Sequence, residues 1–240
     1  MIRALIALIS FLTATIVGSI ISISVWAFDK SGDAVFAIAQ VWSRILLGVP
    51  GVKLRLEMRG KLAPARPYVF MANHASMVDI WAMFVLLPVS FRFIAKRSLG
   101  NIPLFGWAMR AGKFIFIDRK NAVSARRTIA LAVQRIRSGQ SVVIYPEGTR
   151  TRDGTLGAFK KGGFHLAMDA GVEIVPVAIR GTGAVMPPGS MLIRAGEVSL
   201  TVGEPIPTAG LTAADRQRLV DEVRGKIAEM LAEAPAPRIQ

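Results

Sequence analysis

From Ala4 to Phe28 the chain runs for 25 residues without a charged side chain, ALIALISFLTATIVGSIISISVWAF. As a helix that stretch is about 37 Å long, against a bilayer hydrocarbon core of about 30 Å. Such a segment has three fates: it enters a membrane, it is cut off as a secretory signal, or a core buries it. Val25–Ala27 resembles a cleavage site. The apolar run is nonetheless longer than the ~7–15 residues of a signal peptide, and only Arg3 and the amino terminus precede it. A membrane anchor is the expectation, and its Ser, Thr and Gly content allows shallow insertion. A second apolar stretch, residues 34–49, carries Gln40, Ser43 and Arg44 together at helical spacing. That pattern predicts a helix lying at an interface or packed on the first one, so that the two form a hairpin. Arg3 on one side and Lys30 and Arg44 on the other leave its orientation open.

The rest of the chain is long enough to bury a sizeable core. Thirty Lys and Arg stand against 16 Asp and Glu, and 52% of the 240 residues are hydrophobic. Nucleic-acid binders are basic but seldom so apolar, and here the Trp residues (26, 42, 81, 107) lie in apolar helical stretches rather than among basic ones. An anionic membrane surface is the better partner, and no nucleic acid is expected. With no Cys there is no disulfide framework and no Cys nucleophile. Two His make a zinc site improbable, and no metal is expected.

After residue 50 the periodicity changes. Residues 52–59, VKLRLEMR, alternate, with Val52, Leu54, Leu56 and Met58 on one face. Short apolar runs follow at 67–72, 91–96, 113–118, 141–146 and 173–179, each suited to a buried strand. Helical stretches separate them near 78–87, 102–111, 121–138 and 159–170. Asn121 starts the longest and Gly139 stops it. Residues 191–203 read as a hairpin turning near Ala195–Gly196, and 212–233 as a closing amphipathic helix. Strands alternating with helices predict an α/β fold, a mixed and largely parallel sheet flanked by helices, preceded by the helical hairpin. The division is residues 1–50 for anchoring and 51–240 for the α/β domain.

His74, in FMANHASMVD, follows the strand at 67–72 and precedes the helix at 78–87. The end of a strand is where such sheets place ligands. Asp79 lies five residues on. Within one helix those residues would point about 140° apart. With His74 on a loop and Asp79 in the first turns of the helix, the carboxylate can reach back to one ring nitrogen. The other is then free to accept a proton. There is no G-x-S-x-G and no Cys, so the nucleophile would be a substrate alcohol. A His satisfied in the core and an Asp acting as a helix cap is the plainer alternative.

YPEGTRTRDG, residues 145–154, follows another strand. Arg150 is a natural fork for phosphate or carboxylate, and Glu147 could hold it or orient a donor. Lys160 and Lys161 follow. No phosphate loop is present, which argues against nucleotide hydrolysis. Asp118 and Arg119 close a further strand at the same edge. His165 reads as a packing or surface residue, and RGTGAVM (180–186) as an ordinary turn.

Together these blocks resemble the glycerolipid acyltransferase family, most of all bacterial lysophosphatidic acid acyltransferases. NHASMVD, GKFIFIDR, YPEGTRT and IVPVAI match in order over roughly residues 50–205. AKRSL and IPLFGW match family stretches as well. The resemblance implies acyl transfer from acyl-CoA or acyl carrier protein to the hydroxyl of a lysophospholipid, with no cofactor. It implies His74 as general base and Asp79 as its orienter. It places Arg119, Glu147, Gly148, Thr149 and Arg150 around the acceptor phosphate, with Lys96 as a further candidate. Backbone N–H groups at the start of helix 78–87 would stabilise the oxyanion. The expected location is the cytoplasmic face of the inner membrane, where thioesters are supplied. A lysolipid such as lyso-ornithine lipid is the alternative acceptor, and a non-catalytic basic membrane-binding module the alternative class.

Overall fold

The computed structural model describes residues 2–118, 121–151, 154–190 and 192–233. Two helices lead, α1 (Ile2–Val25) and α2 (Asp33–Gly48). There follow β1 (Val52–Met58), β2 (Val69–Ala72), α3 (Val78–Leu86) and β3 (Phe91–Lys96). A 3-10 turn (Arg97–Asn101) leads into α4 (Phe105–Ala111), β4 (Ile115–Ile117), α5 (Ala122–Arg137) and β5 (Ser141–Ile144). The chain continues through α6 (Gly162–Ala170), β6 (Ile174–Arg180), α7 (Thr182–Val185), β7 (Gly196–Val202) and α8 (Arg216–Glu233).

The seven strands form one sheet in the order β1-β7-β6-β2-β5-β3-β4, parallel throughout except between β6 and β7. The direction of each crossover sets the helix layer. The chain moves one way from β2 to β3 to β4, then back through β5 to β6. Right-handed connections therefore put α3 and α4 on one face and α5 and α6 on the other. The hydrophobic clusters divide accordingly. Phe70, Phe93 and Val143 pack with α2 and α3, whereas Val69, Met71 and Val142 pack with α5, α6 and α8. β2 and β5 are neighbours whose following helices leave to opposite faces, which opens a crevice between their carboxyl ends.

Local chemistry explains the boundaries. The Asn121 side chain accepts from Ser124 N–H and starts α5, and Gly139, at φ +98°, ends it as read from the sequence. The hairpin expected over 191–203 is absent from the described residues 192–203. Gly196–Val202 is one strand, paired on one edge with β1 and on the other with β6, which leaves no edge for a local partner. In β1 burial fades along the strand, so that Leu56 and Met58 are exposed although they share the parity of buried Val52.

α2 is part of the core, and α1 packs on it along one side. Phe36, Leu46 and Leu47 are buried with α3 and the sheet. Trp81 of α3 packs against Phe11 of α1 and Trp42 of α2, with centroids 6.1 Å away in each case. The polar stripe expected on α2 is split. Ser43 is fully buried, and Gln40 Nε2 donates to the Phe84 carbonyl at 3.1 Å, one of the last four carbonyls of α3. Arg44 stays exposed, as do the apolar Val41 and Ile45. Arg92, at the start of β3, is 1% exposed. Its guanidinium donates to the carbonyls of Gly112 and Phe91, to Ser90 Oγ and to Asp33 Oδ1, tying the start of α2 to the sheet.

Candidate active site

The loop after β2 is fixed at both ends. The Asn73 carboxamide donates to the Ile179 carbonyl at 2.9 Å and accepts from Ile179 N–H at 2.7 Å, anchoring the strand end to β6. Ser76 Oγ donates to the Met186 carbonyl. Asp79 then stands in the first turn of α3, with none of its surface exposed. One of its oxygens, Oδ2, accepts three hydrogen bonds: from His74 Nδ1 at 2.7 Å and from the amides of Ala75 and Ser76 at 2.8 Å each. Nδ1 therefore carries the proton, and Nε2 is left with its lone pair. The reach from loop to helix expected for this pair is what the structure has.

Those same bonds take several of the amides expected to stabilise an oxyanion at the start of α3. The amides of Ala75 and Ser76 serve Asp79, Val78 N–H donates to Ser76 Oγ, and Ile80 N–H donates to the Met77 carbonyl. Two amides of the turn before α3 hold the carboxylate.

The second motif holds the first. Glu147, 6% exposed, accepts from His74 N–H at 2.8 Å through Oε1 and from Gly157 N–H at 2.9 Å through Oε2. Thr151 N–H donates to the His74 carbonyl at 2.9 Å. Both backbone groups of His74 are thus bound by the loop after β5. Glu147 was expected beside the acceptor phosphate; its two oxygens are instead taken by amides, so it fixes loops. Gly148 sits at φ +74°, a conformation that favours glycine, and lets the chain turn toward the cavity with Lys160 packed against it.

A cavity of about 510 Å³ opens at the crevice. His74, Lys96, Gly148, Thr149 and Arg150 line it at the carboxyl ends of β2, β3 and β5, so these candidates are brought together. The remaining wall is largely apolar and comes from both helices of the hairpin, α3 and α4; Gly18, Ile38, Trp81 and Met109 belong to it. Arg119 lies outside the described residues. His165 is on the far layer, half exposed, with Nε2 3.6 Å from Asp169.

The arrangement offers a base with a fixed tautomer, cations beside it, and an apolar space large enough for a chain. Sequence reasoning passed over Tyr145, whose ring stacks on His74 with centroids 4.0 Å apart. Strand parity was the available signal, since Tyr145 continues the face of Val143. It also passed over Thr151 and the α1 side chains in the cavity wall, which no local pattern marks.

A family model described as Acyltransferase matches residues 53–180. The chain is 35% identical over 196 residues to the chloroplastic 1-acyl-sn-glycerol-3-phosphate acyltransferase of Arabidopsis thaliana, covering 81% of this chain and 53% of the relative. It is 40% identical over 171 residues to the human 1-acyl-sn-glycerol-3-phosphate acyltransferase beta, covering 70% and 62%. The chain thus spans about half the length of the plant relative and under two thirds of the human one. Among solved structures, that of a 1-acyl-sn-glycerophosphate acyltransferase from Thermotoga maritima aligns over 98% of both chains with a TM-score of 0.80 at 23% identity, a likeness of fold.

Proposed function

The chain belongs to the Acyltransferase family, and from that premise we propose that it acylates the free sn-2 hydroxyl of lysophosphatidic acid, giving phosphatidic acid. The observation that carries this reading is the His74–Asp79 pair, joined at 2.7 Å with His74 on the cavity wall. The donor is a fatty acyl thioester, acyl-CoA or acyl carrier protein. Nε2 of His74 takes the proton of the substrate hydroxyl as its oxygen attacks the thioester carbonyl carbon. The C–O bond forms, the C–S bond breaks, and the imidazolium returns the proton to the leaving thiolate. Asp79 keeps the tautomer and faces the positive ring that forms in the step. Lys96 and Arg150 are the cations for the acceptor phosphate, with Arg119 carried forward from the sequence. Thr149 and Gly148 shape the turn that presents Arg150. The apolar wall takes the acyl chain.

Membrane lipid is the partner of the outer surface. Ile9, Leu12, Ile16 and Ile20 of α1 and Val41 and Ile45 of α2 are exposed, and Lys30 Nζ sits 3.8 Å over the Trp26 ring at the end of α1. α1 is long and apolar enough to cross a membrane. The proposed location is the inner membrane, with the catalytic layer on the cytoplasmic face.

Purified protein assayed against lysophosphatidic acid, lyso-ornithine lipid and other lysolipids, with both donors, tests the reading. Lysophosphatidic acid is expected to be the preferred acceptor, and His74→Ala and Asp79→Asn to lower kcat by about 10²–10⁴. Undiminished transfer by His74→Ala would remove the base assignment, and no transfer to any acceptor by the wild-type protein would return the chain to a membrane-binding module.

A further inference from the structure

We propose that Tyr145 is a positioning residue for the base: its ring, stacked on the His74 imidazole, fixes the plane in which Nε2 is presented to the substrate hydroxyl. The inference rests on the base assignment above. The Nδ1–Oδ2 hydrogen bond fixes one atom of the imidazole but leaves the ring free to rock about that contact. Tyr145 removes the freedom. The two rings lie 4.0 Å apart at 13°, close to parallel. Behind Tyr145 lies Phe93, again near parallel at 15° and 5.7 Å. Phe93 is braced edge-on by Phe84 and Phe91 at 5.4 and 5.1 Å. The column His74–Tyr145–Phe93 is rooted in the sheet, where Phe93 pairs with Val143 two residues before Tyr145.

The hydroxyl does not explain the residue. Among the described residues Tyr145 Oη is buried with no hydrogen-bond partner, an arrangement that costs stability. Burial, and then the Asp79 charge, push the phenol well above its ordinary range, so it keeps its proton and is no base. What remains is the ring, which lines the cavity beside His74. Its electron-rich face also meets the imidazole at the moment the imidazole becomes positive, an interaction stronger in the transition state than in the ground state.

The experiment compares Tyr145→Leu and Tyr145→Phe, each alone and in the His74→Ala background, with donor and acceptor varied separately. Tyr145→Leu is expected to lower kcat by about 10- to 100-fold with little change in either KM. Tyr145→Phe restores the rate lost in Tyr145→Leu. In the His74→Ala background Tyr145→Leu causes no further loss, because the group it positions is gone. The proposal is overturned if Tyr145→Leu retains the wild-type kcat. It is overturned equally if Tyr145→Phe fails as badly as Tyr145→Leu, or if the loss recurs in full without His74, which would mark packing. Should Tyr145→Leu not fold, Phe93→Leu, which removes the brace and leaves Tyr145 in place, is expected to lower kcat in the same His74-dependent way. A normal loss on His74→Ala beside a harmless Tyr145→Leu overturns this proposal alone. A harmless His74→Ala removes the base assignment and this proposal together.

Discussion

Glu147 carries two loops on one carboxylate, and the chemistry of each oxygen can be tested separately. Both face backbone donors, the amides of His74 and Gly157. Glu147→Gln keeps one acceptor but turns an NH2 toward the other amide, leaving two donors face to face. The expected cost is about 1–3 kcal/mol in denaturant unfolding, with a fall in kcat because the His74 backbone loosens. Gly157→Ala strikes the same carboxylate from outside. A Cβ there would lie 2.8 Å from Oε2, and that oxygen is already committed. Gly157→Ala should therefore reproduce the kcat loss of Glu147→Gln while Lys96 and Arg150 stay untouched; an unchanged kcat would show that the loop clamp is dispensable.

At the scale of elements, the link between α1 and α2 is held by one residue. Asp29 Oδ1 accepts from the Ser31 amide and hydroxyl, and Oδ2 from the Ala34 amide in the first turn of α2. These bonds, the Ser31 hydroxyl first, lower its carboxyl from 3.8 to about 2. A depressed carboxyl contributes stability that is complete above the unfolded value and is lost as pH falls through the folded one. Asp29→Asn should thus lower Tm at neutral pH, and its gap to wild type should close as pH drops from about 4 toward 2. α1 makes a second prediction. Gly18 lines the cavity, and a Cβ on it would find only Ile38 Cγ2, at 3.9 Å. Gly18→Leu should take up cavity space and shift preference toward shorter acyl donors, measured as the ratio of kcat/KM across chain lengths.

For the molecule as a whole, the layer that holds the hairpin is also the layer of exposed apolar surface. Trp107 of α4, which packs beside α1, is exposed, and so are Leu56 and Met58 on that side of β1. The far layer has a different character: α5 carries Arg126, Arg127, Arg135 and Arg137 and no acidic residue. The sheet therefore separates the exposed apolar surface of the hairpin from an arginine-rich helix. From the sequence, removal of residues 1–30 is expected to release protein from membranes and to lower activity on bilayer substrate more than on short-chain acceptors. The structure adds a second loss. Thr15, Gly18, Ser19 and Ser22 of α1 wall the cavity, and Phe11 packs on Trp81. The truncated protein should lose activity on soluble short-chain substrates as well, and Trp81→Ala should cost about 3–5 kcal/mol in the intact chain.

The amino-acid sequence alone determined the order of strands and helices as far as β6, and the candidate base. Periodicity reports whether a segment faces water on one side, and the loop-then-helix placement of His74 and Asp79 is a matter of local spacing. The apolar character of 4–28 and 34–49 was equally plain, because it is a property of contiguous residues. Tertiary structure alone decided that Glu147 grips the His74 amide from 73 residues away, that Gln40 and Ser43 face inward, and that 196–202 pairs with β1 and β6 rather than with itself. It also decided that the apolar helix α1 walls a cavity. In each case the partner that satisfies a donor, an edge or an apolar face comes from a distant part of the chain, and only the crossing directions of the sheet bring the two together.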